Sequence, residues 1–206
     1  SKEQDLAYKE IKSAYEKQDV VLFHGITGSG KTEVYIQLIQ EAIDEGRQVC
    51  YLLPEIALTT QIITRLQKVF GDAVGVYHSK FNLNERVEIW NELLKPNSKF
   101  KVVLGARSCM FLPFSNLGLV IVDEEHENTF KQFDPAPRYH GRDMAILLAK
   151  MHKAKVLLGS ATPSVESYFN AKSGKYGLVE LNTRYGGIQL PEIQCGDLKE
   201  EKKKEF

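Results

Sequence analysis

Val20-Val21-Leu22-Phe23-His24-Gly25-Ile26-Thr27-Gly28-Ser29-Gly30-Lys31-Thr32-Glu33-Val34-Tyr35 is the stretch whose reading decides the fold. Its first part is a short apolar, β-branched run of the kind that forms a buried strand. Residues 25–32 then fit the spacing GxxxxGK[ST], and a helical pattern follows, which is the strand, loop and helix context that a phosphate-binding loop requires. The spacing has physical causes. Glycines let the backbone wrap until several N–H groups point at one anion, and the helix behind adds its positive N-terminal end. The backbone of Gly25, Thr27, Gly28, Ser29 and Gly30 is therefore expected to cradle the phosphates of ATP. Lys31 would neutralise the β and γ phosphates, and the Thr32 hydroxyl would ligate Mg²⁺.

Working outward, similar apolar runs recur at Gln48 to Leu53, Ala73 to Tyr77, Lys101 to Leu104, Leu117 to Val122, Lys155 to Leu158 and Gly177 to Leu181. Stretches of helical period separate them. Ala7, Tyr8, Ile11, Ala14 and Tyr15 mark one apolar face, and Tyr35, Leu38, Ile39, Ala42 and Ile43 mark another that Gly46 can end in a left-handed turn. A third face carries Ile62, Leu66, Val69 and Phe70; Asn82 with Glu85 has capping-box spacing, and Thr162 before Pro163 has the form of an N-cap. Strands that look buried on both faces and alternate with helices predict a three-layer α/β domain with a mainly parallel sheet. That domain is expected over residues 1–182. From 183 to 206 the pattern breaks into turn residues and a charge run, as in a linker.

Composition sets bounds on function. The 206 residues are 43% hydrophobic and 26% charged with zero formal net charge, so no global field draws the chain to nucleic acid and any such surface must be local. Cys50, Cys109 and Cys195 are scattered without CxxC spacing, which argues against a zinc or disulfide-exchange site and suits a reducing cytoplasm. No apolar run approaches the roughly 18 residues that span a bilayer, so no membrane partner is expected.

Directly after the apolar strand Leu117 to Val122 stands Asp123-Glu124-Glu125-His126. Carboxylates at a strand's C-terminal end share the sheet edge with the phosphate loop, where α/β proteins bind ligands. Hydrolysis of a phosphoanhydride needs one carboxylate to hold Mg²⁺ and a neighbour to orient and deprotonate water, roles that fall to Asp123 and Glu124. Gly159-Ser160-Ala161-Thr162 follows another apolar strand. Alone it could be only a helix cap, but with the other two motifs it becomes specific.

Phosphate loop, DExH-type acidic motif and SAT motif, in this order, resemble the first RecA-like lobe of superfamily 2 helicases. The segments GITGSGKTEVY, LLPEIALTTQ, HSKFNLNER, GARS, LGLVIVDEEHENTFKQ, RYHGRD and LLGSATPSVES look like consecutive motifs of the PriA family of replication-restart DNA helicases. Ala106, Lys80 and Gly141 depart from that pattern, and none of them is at a catalytic position. The resemblance implies an ATP-dependent 3′ to 5′ DNA helicase in which Gln4 reads adenine. Thr59 and Arg107 would touch DNA phosphates, and His126, Ser160 and Thr162 would couple hydrolysis to movement. The segment from Phe130 to His140 resembles an aromatic-rich coupling loop, with Phe130, Phe133 and Tyr139 to stack on unpaired bases and Lys131, Arg138 and Arg142 to supply charge. The resemblance also implies forked and single-stranded DNA and other primosome proteins as partners. Zinc is expected only in parts of such proteins that this chain lacks, and turnover by the lobe alone is expected to be negligible without a second lobe. Two other readings stay open from the residues themselves: a nucleotide-dependent module that docks proteins without moving DNA, and a P-loop kinase, which leaves the acidic pair unexplained.

Overall fold

Alternation along the strands assigns each residue to one side of a sheet. The computed structural model describes residues 1–57, 59–78, 83–95 and 97–184. Its seven strands are β1 Val20–Gly25, β2 Gln48–Leu52, β3 Val74–Tyr77, β4 Val102–Gly105, β5 Leu117–Asp123, β6 Lys155–Ser160 and β7 Gly177–Leu181. They lie in the order β3-β4-β2-β5-β6-β1-β7, and every pairing is parallel. Six helices connect them: α1 Lys2–Tyr15, α2 Lys31–Asp44, α3 Thr60–Phe70, α4 Leu83–Leu93, α5 Gly141–His152 and α6 Val165–Lys172.

Two cores result, one on each face of the sheet. Val21, Phe23, Val49, Tyr51, Leu119 and Ile121 point to the side covered by α1, α2 and α3, where Ile11, Leu38, Ile39 and Leu66 meet them. Their strand neighbours Val20, Leu22, Cys50, Leu52, Val120 and Val122 point to the other side and pack on Ile89, Leu93, Ala145, Ala149 and Ala171 of α4, α5 and α6. The three-layer α/β architecture expected from the sequence is thus the observed one, and each expected strand lies within two residues of its observed ends.

Gly46 ends the turn after α2 with φ 73°. The helix start expected at Thr162 is displaced: α6 begins at Val165, and Ser164 is its N-cap, its side chain accepting from the Ser167 amide. Ser160 Oγ accepts the Thr162 amide at 3.0 Å, and Glu125 Oε1 accepts the Ser164 amide at 2.7 Å, which holds 160–164 out of the helix. The cap expected at Asn82 and the linker from 185 onward lie outside the described residues. No helix among the described residues is long and apolar enough to cross a membrane.

Candidate nucleotide site and the groove beside it

Parallel strands all deliver their C-terminal ends to one edge, so β1, β5 and β6 bring their following loops together there. In register, Asp123 stands opposite Gly159 and His24 opposite Ser160. The resulting cleft of about 740 Å³ is lined by Gln4, residues 26–33, Arg65, Asp123 and Glu124. Five of the expected phosphate-contacting residues, Thr27, Gly28, Ser29, Gly30 and Lys31, line it together with Thr32 and the acidic pair.

The loop takes a shape that only glycine adopts readily. Gly28 and Gly30 have φ 78° and 86°, in the left-handed region. No side chain caps α2 at Gly30, which leaves its first amides to an anion. Ser29 Oγ is buried without a hydrogen-bond partner, and Lys31 Nζ donates to the Gly25 carbonyl at 2.8 Å. An orphaned hydroxyl and a cation folded onto its own loop fit a site shaped for phosphate. Gln4 also lines the cleft, but its Nε2 donates to the Ser29 carbonyl at 3.1 Å, so the amide expected to read a base is engaged by the loop backbone.

Three donors converge on Asp123. Tyr35 Oη donates to Oδ1 at 2.9 Å, the Glu124 amide to Oδ1 at 3.1 Å, and Tyr51 Oη to Oδ2 at 3.2 Å. Burial pushes the Asp123 carboxyl up, opposed by the Tyr35 hydroxyl and the Lys31 charge. Glu124 adopts φ 50°, a conformation that non-glycine residues hold at a cost of order 1–3 kcal/mol. Its carboxyl is also raised, first by burial and then by the charge of Asp123. A carboxyl held above its ordinary range beside a phosphate loop is placed to accept a proton from water.

The next two residues of the motif face elsewhere. His126 Nδ1 meets Ser160 Oγ at 2.8 Å and its Nε2 meets Thr162 Oγ1 at 3.3 Å, which joins the acidic motif to the Ser160 to Thr162 segment. Glu125 is fully buried. It accepts from Arg142 Nη1 at 3.0 Å, Ser164 Oγ at 3.0 Å and Ser167 Oγ at 2.8 Å.

Beside the cleft a second groove of about 340 Å³ is lined by Leu53, Pro54, Glu55, Ala106, Arg107, residues 128–131 and Phe133. Arg107 Nη1 donates to the carbonyls of Thr129 and Lys131 at 3.2 and 3.0 Å. Lys131 and His140 form a bridge that closes the aromatic segment into a loop, and Lys131 Nζ donates to the Arg138 carbonyl at 2.9 Å. Tyr139 meets Phe111 edge-on at 5.2 Å. Phe133 is 68% exposed, and Arg138 and Thr59 are exposed as well.

Two residues expected to face DNA point inward. Phe130 is 1% exposed and packs among the α4, α5 and α6 core residues. Arg142 is 9% exposed, its charge engaged by Glu125 and Asp143. Both corrections have one cause: α5 starts at Gly141 and packs on β5, so Arg142 enters the first turn of a docked helix, and Gly141 lies against Phe130. Sequence reading missed Tyr35, Tyr51, Glu125 and Arg65. The one signal for Tyr35 is its i, i+4 offset from Lys31, which sets both on one face of α2. Tyr51 and Glu125 read as core strand and charged loop.

The model of the DEAD/DEAH box helicase family matches residues 1–170. Among curated proteins, the replication restart protein PriA of Bacillus subtilis (strain 168) is 41% identical over 201 residues, covering 97% of this chain and 25% of that protein. PriA of Rickettsia felis is 46% identical over 187 residues, 91% of this chain and 28% of the relative. The chain thus spans about a quarter of the length of the curated relatives it matches. Among solved structures, RecG bound to a three-way DNA junction superposes with TM-score 0.66 at 24% identity, covering 92% of this chain and 24% of that one. The DUF1998 helicase MrfA bound to DNA gives TM-score 0.61 at 16% identity, covering 88% and 27%. These two likenesses carry the fold.

Proposed function

This chain belongs to the DEAD/DEAH box helicase family, and from that premise we propose that residues 1–182 form the first motor lobe of a PriA-type DNA helicase acting in replication restart. The observation that carries the proposal is the shared cleft, in which the phosphate loop and the Asp123–Glu124 pair line one cavity at the sheet edge. The similarity to curated replication restart proteins supplies the process.

In this reading ATP lies along residues 25–32, with its phosphates on the loop amides and Lys31 released from the Gly25 carbonyl to meet them. Thr32 and Asp123 would hold Mg²⁺, which neutralises phosphate charge when bound. Glu124 orients water and takes its proton. His126 links that site to Ser160 and Thr162, so a change at the γ phosphate is felt in the segment leading to α6. Single-stranded or forked DNA runs across Thr59, Arg107 and the aromatic loop, where Phe133 offers a stacking face and Lys131 and Arg138 offer charge. Tyr139 braces that loop through Phe111. Residues 183–206 lead toward a second lobe that completes the ATP cleft, without which turnover is negligible. Travel from 3′ to 5′, primosome partners, a zinc module elsewhere in the protein and a cytoplasmic site of action belong to the same proposal.

The test is ATP turnover by the polypeptide carrying both lobes, with and without forked or single-stranded DNA. A strong DNA-dependent increase is expected. Turnover indifferent to DNA would keep the ATPase and replace the motor by a nucleotide-dependent docking module.

A further inference from the structure

We propose that Tyr35 and Tyr51 are positioning residues for magnesium: their hydroxyls fix the plane of the Asp123 carboxylate and leave Oδ2 as the oxygen that meets the metal or its water. The inference rests on the nucleotide reading above and adds to it which oxygen is used and what holds it.

The argument begins with the acceptor capacity of a carboxylate, about four lone-pair directions, two on each oxygen. Oδ1 receives the Tyr35 hydroxyl at 2.9 Å and the Glu124 amide at 3.1 Å, so both of its directions are used. Oδ2 receives only the Tyr51 hydroxyl at 3.2 Å and retains one direction for a ligand. The two tyrosines come from different layers, Tyr35 from α2 one turn beyond Lys31 and Tyr51 from the interior of β2. Their rings are fully buried and meet edge-on at 5.8 Å and 81°, so close packing holds both hydroxyl oxygens beside Asp123.

Phenylalanine would fill either position with the same ring, whereas a buried hydroxyl is costly unless bonded. Asp123 is the hydrogen-bond partner of both hydroxyls among the described residues. Gly159, opposite Asp123 on β6, belongs to the same arrangement, because a Cβ there would stand 1.9 Å from the Tyr35 hydroxyl oxygen. The terminal torsion of an aspartate is broad, and magnesium demands near-octahedral geometry at short distance. Two donors that pin the carboxylate plane therefore act on metal affinity.

The experiment compares wild type, Tyr35→Phe and Tyr51→Phe in the polypeptide carrying both lobes, measuring binding of a fluorescent non-hydrolysable ATP analogue in chelator and across a Mg²⁺ titration. We expect chelator affinity within about twofold of wild type in both variants, which also reports that the site is folded. The Mg²⁺ midpoint should rise about tenfold in Tyr35→Phe and about threefold in Tyr51→Phe, in keeping with loss of one bond to a charged acceptor. A purely structural role would lower thermal stability and leave the Mg²⁺ midpoint alone. An unchanged or lower midpoint in Tyr35→Phe overturns the inference while the nucleotide site stands. A wild type whose analogue affinity ignores Mg²⁺ overturns the metal reading, and the inference with it.

Discussion

At the phosphate loop recognition would fall largely to the backbone, whose direction is set by glycines at φ 78° and 86°. Along residues 130–140 recognition would fall to side chains, and the fold divides them: Phe130 lies in the core and Phe133 three residues later is 68% exposed. A backbone site is fixed by spacing alone, whereas a side-chain site depends on which way each residue faces once the neighbouring helix has docked. The largest expected effect lies at the nucleotide site, where the Lys31 and Glu124 side chains would act on what the backbone cradles. Lys31→Ala or Glu124→Gln should lower ATP turnover of the two-lobed polypeptide by at least about 10² to 10⁴, read in a coupled phosphate-release assay. Phe133→Ala should leave turnover without DNA as it was. Undiminished turnover in either of the first two variants would end the site assignment.

Within the aromatic segment the contrast can be read as stability. Phe130→Ala should destabilise the chain by about 3–5 kcal/mol through a core cavity, and Phe133→Ala should stay within about 0.5 kcal/mol of wild type. The two arginines repeat the test with charge in place of volume. Arg142→Ala strands the buried Glu125 carboxylate and should cost about 3–5 kcal/mol, while exposed Arg138→Ala should cost almost nothing. Denaturant unfolding measures all four. Equal losses at Phe130 and Phe133 would mean that the loop does not divide as described.

These pairs mark how far the sequence could be read. Strand positions were legible because a β-branched run has a fixed meaning in a parallel sheet, and the loop of residues 25–32 because its glycine spacing dictates the left-handed backbone seen at Gly28 and Gly30. The acidic pair was legible from its place at a strand end. Facing was not. Phe130 and Phe133 are the same residue type in one segment, and nothing local distinguishes them before α5 packs on β5. Glu125 looked like one more carboxylate in a charged loop, yet four groups from α5 and the Ser164 to Ser167 turn close around it. Tyr35 and Tyr51 merged into the apolar pattern because a ring reads as core whatever its hydroxyl does. Thr162 lost the helix start to Ser164 through hydrogen bonds made from Glu125 and Ser160, across separate segments of chain.

On the DNA side the expected effects are smaller. Phe133→Ala should weaken single-stranded DNA binding by about 1–3 kcal/mol, the range for one base stacked on an aromatic face. Arg138→Ala should weaken it uniformly across sequences and reduce the salt dependence of binding by about one phosphate contact. Titration of a labelled oligonucleotide at several salt concentrations separates the two. If Phe133→Ala binds as wild type does, the exposed ring serves a protein contact and the docking reading gains.

The smallest effect concerns protons and draws the two properties of Glu124 apart. Its carboxyl is held above the ordinary 4.5 by burial and by the charge of Asp123. As a base it must be ionised, so kcat/KM, which reports the free enzyme, should fall as pH drops through this raised value, with an acid limb above the ordinary glutamate range. Stability should run the other way. Because the folded state binds this proton more tightly than the unfolded chain does, the site's contribution to stability is complete below 4.5 and is lost as pH rises through the folded value. Glu124→Gln, which carries no charge at any pH, should therefore melt slightly above wild type at neutral pH, and the gap should close as pH falls toward 4.5. A gap that widened on acidification would mean that the surroundings stabilise the carboxylate rather than the protonated acid.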